Sequence, residues 1–343
     1  MKKVILLIVI AVSAQALFGQ GEVNKVGTTA ANFLKLEVGA RAMSLAGAYT
    51  AVANDVTALQ WNPAGISSLG RITASYNNTN LYAGIKHQFL GVVVPMGINN
   101  FFGFSLNYVD IGRIEKTTVD DPDGTGIMFD NYNMSAGVSY SRMLTDRVTF
   151  GVTGRWVHEQ IWEQGADGVS MDMGIIFAPQ VSGLKIGMSI TNFGPDMTMD
   201  NGPLTTFAYE PQEEMEGVGN RDLDAQLQVE KYALPISFQL GASVDIMGAN
   251  SSFVSDKSNR ISAIFELNDS FDNAMRAKYA LEYEWRHLLA LRAGYKQNYD
   301  LATFSWGGGL KIPVRGMDLR FDYGMADYGD LGYVNVTSIQ IGF

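Results

Sequence analysis

From Arg71 to its last residue the chain is written in alternation. In residues 278–285 the odd positions hold Tyr279, Leu281, Tyr283 and Trp285, and the even ones Lys278, Ala280, Glu282 and Glu284. The same split separates Met317, Leu319, Phe321, Tyr323 and Met325 from Asp318, Arg320, Asp322 and Gly324, and Phe238, Leu240, Val244 and Ile246 from Ser237, Gln239, Ser243 and Asp245. Successive side chains of an extended chain point to opposite faces, so a period of two specifies strands with one apolar and one polar side. Such runs start near Ile72, Ile85, Phe101, Tyr132, Val148, Val169, Leu184, Ile236, Ile261, Lys278, Leu289, Phe304, Met317 and Tyr333. About 14 strands are expected, an even number, as in bacterial single-chain barrels.

The apolar face decides between a soluble sandwich and a barrel. It is rich in Tyr, Trp, Phe and Met, whereas the other face carries Gly, Ser, Asn and charges. Aromatics on an outward apolar band suit lipid, and roughly nine to eleven tilted residues cross a bilayer. The connections sort by length in the same sense. If the first strand runs outward, the inner turns fall at 97–100, 143–147, 179–183, 250–259, 286–288 and 313–316, and the outer loops at 111–131, 159–168, 193–234 and 269–276. The expected fold is all-β, a transmembrane antiparallel barrel over residues 71–343.

The N-terminus gives an address. Lys2 and Lys3 precede the apolar run 4–12, and the small residues Ser13, Ala14 and Ala16 follow, the order of a secretory signal peptide within residues 1–20, cleaved after Ala16 or nearer Gln20. The run is too short to span as a helix, which needs roughly 20 apolar residues. Cysteine is absent, so no disulfide, thiolate metal site, thiol nucleophile or lipidated cysteine is available. A net charge of −10 argues against nucleic acid as a partner.

Between leader and strands, residues 36–65 are crowded with Ala and Gly and end in Trp61-Asn62-Pro63-Ala64-Gly65. Small side chains let a segment pack inside a curved sheet, and Asn-Pro reverses the chain. A barrel of about this width is not filled by its own side chains. We therefore expect residues 21–70 to form an N-terminal plug, or hatch, in the lumen. The run from about Gly27 to Gly65 closely resembles the N-terminal region of the PorV/PorQ family of outer-membrane proteins, and Asn62-Pro63-Ala64 resembles the hatch triplet of the wider FadL-like barrel superfamily.

Other residues carry further expectations. The charges Asp172, Asp245, Glu266, Glu282, Glu284, Arg292, Lys296, Asp318, Arg320 and Asp322 should line the lumen, with Glu282 opposite Arg292 across a hairpin. The terminal Ile339, Ile341 and Phe343 share one face and resemble the C-terminal signal read by barrel-insertion machinery. Val334 and Val336 have the opposite parity, for which a bulge near Thr337 would account. The histidines at 87, 158 and 287 form no metal or triad pattern, and neither an enzyme nor a cofactor is expected. Of these, His158 has the parity to face lipid near an outer loop. Residues 193–230 hold nine acidic side chains, Glu213, Glu214 and Glu216 among them, with Phe207 and Tyr209 interspersed. That loop is either simply solvated or a docking surface for a basic partner or divalent cations.

Three functions fit this description. The PorV resemblance implies a type 9 secretion component of the outer membrane of a diderm bacterium. It would bind the C-terminal signal domain of secreted cargo, the translocon or the surface-attachment complex. The FadL-like triplet implies instead a transporter for small hydrophobic molecules, for which polar inward faces are a poor lining. A soluble exported β-protein is disfavoured by so many outward aromatics.

Overall fold

Fourteen strands close into one antiparallel barrel. The computed structural model describes residues 25–179, 181, 183–199, 206–209, 223–226, 229–314 and 316–343, so the expected leader lies outside the described residues. In chain order the strands are β1 (Thr73–Asn80), β2 (Lys86–Met96), β3 (Asn100–Glu115), β4 (Met128–Met143), β5 (Val148–Ile161), β6 (Gln164–Phe177) and β7 (Lys185–Phe193). They continue with β8 (Thr206–Tyr209), β9 (Leu223–Gln226), β10 (Ser237–Met247), β11 (Asn259–Ser270), β12 (Asn273–Trp285), β13 (Leu289–Gln297), β14 (Phe304–Val314), β15 (Met317–Asp327) and β16 (Tyr333–Gly342). Among the described residues strands β8 and β9 pair only with each other, as a two-stranded antiparallel sheet on the β7–β10 connection, and the barrel closes where β16 meets β1.

The alternation read from the sequence sets the two faces. Leu281, Phe321 and Tyr323 are exposed on the outside, together with Leu90, Phe104, Trp156, Ile175, Phe238, Leu291 and Trp306. Ser237, Gln239, Asp245, Glu282 and Asp322 are buried on the inside. No helix among the described residues is long and apolar enough to cross a membrane, and the crossing is made by strands.

Several boundaries differ from expectation. The strands expected near Tyr132, Val169 and Lys278 start earlier, at Met128, Gln164 and Asn273. The outer loops expected at 159–168 and 269–276 therefore shrink to the two-residue turns 162–163 and 271–272, and the loop at 111–131 shrinks to 116–127. Polar residues such as Gln164 belong to the wet face of a strand, which the sequence pattern cannot distinguish from a loop. Trp162, at φ 54, takes the left-handed conformation that a tight hairpin turn requires.

The bulge expected near Thr337 is absent. Strand β16 pairs with β15 and with β1 in unbroken register, and Val334 and Val336 are buried inside against Ala40 and Met43. Those valines face inward because the lumen there is filled by apolar atoms instead of water.

Candidate functional site

The described chain begins at the end of the barrel that carries the long connections. Ala30 N–H donates to Ala233 O at 2.9 Å, Ala31 N–H to Glu159 at 3.0 Å, and Lys35 reaches Asp272 in the β11–β12 turn at 2.5 Å. From this outer mouth the chain descends between the strands. Through the short helices Ala40–Ser44 and Ala58–Trp61 and the turn of 3₁₀ helix Pro63–Ser68 it reaches the inner end, where β1 starts.

Its small side chains allow contact with the wall on all sides. A methyl group at Gly187 would lie 2.4 Å from Thr50 O, one at Gly294 2.6 Å from Ala46 N, and one at Gly324 2.5 Å from Ala40 O. Val38, Leu45, Tyr49, Val52, Leu59 and Ile66 form an apolar core with the inward-facing Phe89, Val93, Phe101 and Ile264. The inward faces are thus not uniformly polar: where the segment presents apolar atoms, the strands answer with apolar side chains.

On the β12–β15 side the contact is ionic. Glu282 accepts hydrogen bonds from Arg41 Nε and Nη2 at 2.8 Å each and from Arg292 Nε at 2.7 Å. Arg292 also bonds Asp322 at 2.7 Å, which in turn holds Arg320 at 2.6 Å. Arg320 approaches Asp55 at 3.8 Å, and Asp55 accepts from the Tyr49 hydroxyl at 2.5 Å. Higher up, Glu266 takes the backbone N–H groups of Tyr49 and Thr50 at 2.8 Å each and pairs with Lys278 at 3.0 Å, while Lys296 pairs with Glu37 at 2.9 Å. Such buried pairs contribute little net stability when intact, but removing one partner strands a charge and costs about 3–5 kcal/mol.

The opposite side is held mostly by neutral groups, with one charged side chain, Arg155, reaching the segment. Asn62 Nδ2 donates to Thr50 O at 3.0 Å and to two wall carbonyls, Ile175 O at 3.3 Å and Met188 O at 3.4 Å, while its Oδ1 caps Ala64 N at 3.1 Å. Gly174 leaves the room this requires, because a methyl there would lie 2.0 Å from Asn62 Oδ1. Pro63 and Ala64 pack against Gly151, and Gly65 approaches Ala53 O, where a methyl would sit 2.0 Å away. Trp61 Nε1 donates to Val38 O at 2.9 Å, and its ring meets that of Tyr49 edge-on at 5.9 Å. Gln60 accepts from Asn107 at 3.1 Å and from Arg155, which is paired with Asp172 at 2.6 Å.

Not every expected lumen charge joins the cluster. Glu284 bonds Arg260 at 3.3 Å, and Asp318 lies at the inner rim, 3.7 Å from both Arg71 and Lys311. Ile339 and Phe343 are exposed on the outer face, and Phe343 N–H donates to Ile72 O at 2.9 Å, which ties the terminus to the closing seam. Phe207 and Tyr209 lie on β8, whereas Glu213, Glu214 and Glu216 lie outside the described residues. His158 stacks on Trp156 and bonds Asp167 at 2.9 Å. Among the described residues no group of three His, Asp or Glu could hold a metal ion.

Sequence reasoning missed Arg41, Tyr49 and Asp55. The signal was present: a lone arginine among small uncharged residues, in a segment expected to be enclosed, requires a buried carboxylate. Among the described residues, two of the cavities that remain lie at the two ends of the lumen. One of about 780 Å³ opens at the inner end beside Lys185, Asp245 and Arg260. The other, of about 600 Å³ at the outer mouth, is lined by Lys35, Trp61, Asp272, Lys278 and Lys296 among others.

Comparison with known proteins agrees with this geometry. The fold is similar to the toluene transporter TbuX of Ralstonia pickettii, at 13% identity and TM-score 0.56, covering 89% of this chain and 98% of that one. It is also similar to the toluene transporter TodX of Pseudomonas putida, at 13% identity and TM-score 0.52 over 89% and 97% of the two chains. The CymD monoaromatic hydrocarbon channel matches at 13% identity and TM-score 0.54, over the same 89% and 97%. No curated protein sequence matches the chain. The model of the family "PorV: Type IX secretion system protein PorV" matches residues 19–208, more than half of the sequence. With its closed 14-strand wall and lipid-facing aromatics, this outer-membrane barrel belongs to the PorV family of type IX secretion system proteins.

Proposed function

We propose that the chain serves type IX secretion as a closed scaffold, with residues 29–69 acting as a plug and the outer loops as the working surface. The observation that carries this reading is the enclosure of that segment. Tyr49, Leu59 and Asn62 are fully buried between the strands, and Arg41 and Glu282 form an ion pair sealed from solvent. A barrel filled in this way is suited to binding at its rim more than to passage through its centre. Its partners would then be the C-terminal signal domain of secreted cargo, together with the translocon or the surface-attachment complex. The acidic connection between β7 and β10 is the natural contact, since it is the longest on the outer side.

Deleting the gene tests the proposal. Secretion of proteins with a C-terminal sorting domain should stop, and the detergent-solubilised barrel should co-purify with cargo or translocon. Intact secretion in the deletion strain overturns it.

The fold likeness to toluene transporters supports a second reading, uptake of small hydrophobic molecules. The outer-mouth cavity would be the entry, although the lysines and carboxylates in its lining favour polar contents. Growth on aromatic hydrocarbons or long-chain fatty acids should then depend on the gene, and replacing Asn62 and Pro63 with Ala should change uptake. Unchanged growth and uptake remove this alternative.

A further inference from the structure

The cavity at the inner end holds two opposite charges that do not meet. Lys185 opens β7, and it shares the parity of Gly187, which touches the enclosed segment, and of the buried Ser189. Its side chain therefore points into the lumen, where it is half-buried, and it makes no hydrogen bond or ion pair among the described residues. Asp245 lies on the neighbouring β10, two residues beyond Ser243, the register partner of Lys185. Both charges line the cavity of about 780 Å³.

Each charge keeps bonding capacity in reserve. Asp245 Oδ1 accepts from Arg260 Nε at 3.0 Å and from the Ser262 hydroxyl at 2.8 Å, whereas Oδ2 accepts nothing among the described residues. Gly183 leaves that oxygen uncovered, since a methyl there would lie 2.1 Å from it. Arg260 uses Nε on Asp245 and Nη1 on Glu284, at 3.3 Å, and its Nη2 is unbonded. The Ser243 hydroxyl, 2% exposed, has no partner either. The other carboxylates of the rim are engaged. Asp256 takes the backbone N–H groups of Ser258 at 2.6 Å and Asn259 at 3.0 Å, and Asp146 pairs with Arg147 at 3.6 Å.

This arrangement selects against an ion of one sign. A simple anion at Lys185 would stand near the Asp245 carboxylate, and a simple cation at Asp245 would face Lys185 and Arg260. A head group with an ammonium and a carboxylate on one carbon satisfies both: the carboxylate meets Lys185 Nζ and Arg260 Nη2, and the ammonium meets Asp245 Oδ2. Such charge-assisted hydrogen bonds are the strong ones, and a zwitterion brings no net charge to be desolvated. The cavity is as large as those that hold drug-sized ligands. It exceeds what the head group fills and has room for the molecule that carries it. An ordinary peptide has its ammonium and carboxylate at opposite ends, but the diamino-acid side chain of a peptidoglycan stem peptide has both at its tip, and the inner end of an outer-membrane barrel faces the cell wall.

We propose that the inner cavity is a binding site for an α-amino-acid head group, held through Lys185, Arg260 and Asp245 and presented by a peptidoglycan stem peptide or by a free amino acid. The site lies at the opposite end of the barrel from the outer loops, and the inference stands whether or not those loops bind cargo.

Isothermal titration of the full-length, detergent-solubilised barrel tests it. The two-charge probes are meso-diaminopimelate and muropeptides released from cell wall by a muramidase, with acetate and methylammonium as single-charge controls. Both two-charge probes should bind saturably, and the controls about tenfold more weakly or not at all. Lys185→Met removes an unpaired cation and should leave the heat-modifiable mobility of the barrel intact while weakening binding about tenfold or more. Asp245→Asn should weaken it as much; because Arg260 then loses a partner, its mobility is checked in parallel, and Lys185→Met decides if that variant does not fold. Lys311→Gln, at the inner rim outside this cavity, should leave affinity unchanged. Muropeptides binding more tightly than diaminopimelate would identify the cell wall as the source, and equal affinity a free amino acid; either supports the site. The proposal is overturned if neither two-charge probe binds saturably, if acetate binds equally well, or if affinity is unchanged in Lys185→Met or in folded Asp245→Asn.

Discussion

Arg41 and Glu282 meet as a two-pronged pair, the guanidinium Nε and Nη2 each 2.8 Å from one carboxylate oxygen, across 241 positions of sequence. The pair joins the enclosed segment to the wall at a point where neither side chain reaches water. Arg41→Ala leaves Glu282 facing Arg292 alone, and Glu282→Ala leaves Arg41 with only the more distant Asp55 and Arg292 with only Asp322. Each should destabilise the folded barrel by about 3–5 kcal/mol, and the second should be the worse. Urea unfolding in detergent, followed by tryptophan fluorescence, measures both. A loss below about 1 kcal/mol for both would show that the cluster does not hold the segment.

The wall glycines give a second prediction, for shape in place of charge. Gly187→Val and Gly294→Val push side-chain atoms into the backbone of Thr50 and Ala46. Each should cost about 1–3 kcal/mol or displace the segment and make it cleavable by protease. Gly154→Ala, where nothing lies within 4 Å, should do neither.

Asn62 should be irreplaceable by its closest isostere. Its amide nitrogen donates to three carbonyls, and aspartate has the same shape but only acceptors. Asn62→Asp should therefore lower stability more than Asn62→Ala, which should cost about 1–3 kcal/mol for the unsatisfied carbonyls and the lost cap. The same unfolding assay ranks the two.

The path of the chain can be checked from outside the cell. Val26 is exposed at the outer mouth and Ile98 in the inner β2–β3 turn. A membrane-impermeant maleimide should label Val26→Cys in intact cells, and Ile98→Cys only after the outer membrane is broken. The reverse pattern would invert the orientation of the barrel.

Asp272 makes the upper anchor sensitive to acid. Burial pushes its carboxyl up, but hydrogen bonds from Lys35 and Ser270 outweigh that and hold it below the usual carboxylate range. A lowered folded value means that the contribution is complete above the ordinary aspartate value, about 4, and is lost as pH falls through the lowered one. A spin label at Val26→Cys should be immobile at neutral pH and gain mobility only below about pH 4. With Asp272→Asn in addition, that pH step should vanish.

The sequence by itself determined the wall. Alternation fixed which side chains face lipid, and it placed most strand starts within a residue or two, from Ile72 to Tyr333, because a strand with one face in lipid and one in the lumen must repeat every two residues. It failed at the turns after Ile161 and Ser270, where polar residues on the wet face have the composition of a loop, and at β8 and β9, which lie outside the barrel. The terminal valines misled for the opposite reason: Val334 and Val336 face inward against Ala40 and Met43 in regular register, and two-faced alternation has no place for an apolar lumen. Only the tertiary structure decided which charges meet. Arg41 lies far along the chain from Glu282, and closure of the barrel is what brings the β12–β15 wall around it. Asn335 and Asn80 likewise become neighbours only once the two ends of the sheet are joined, since they face each other across the β1–β16 seam.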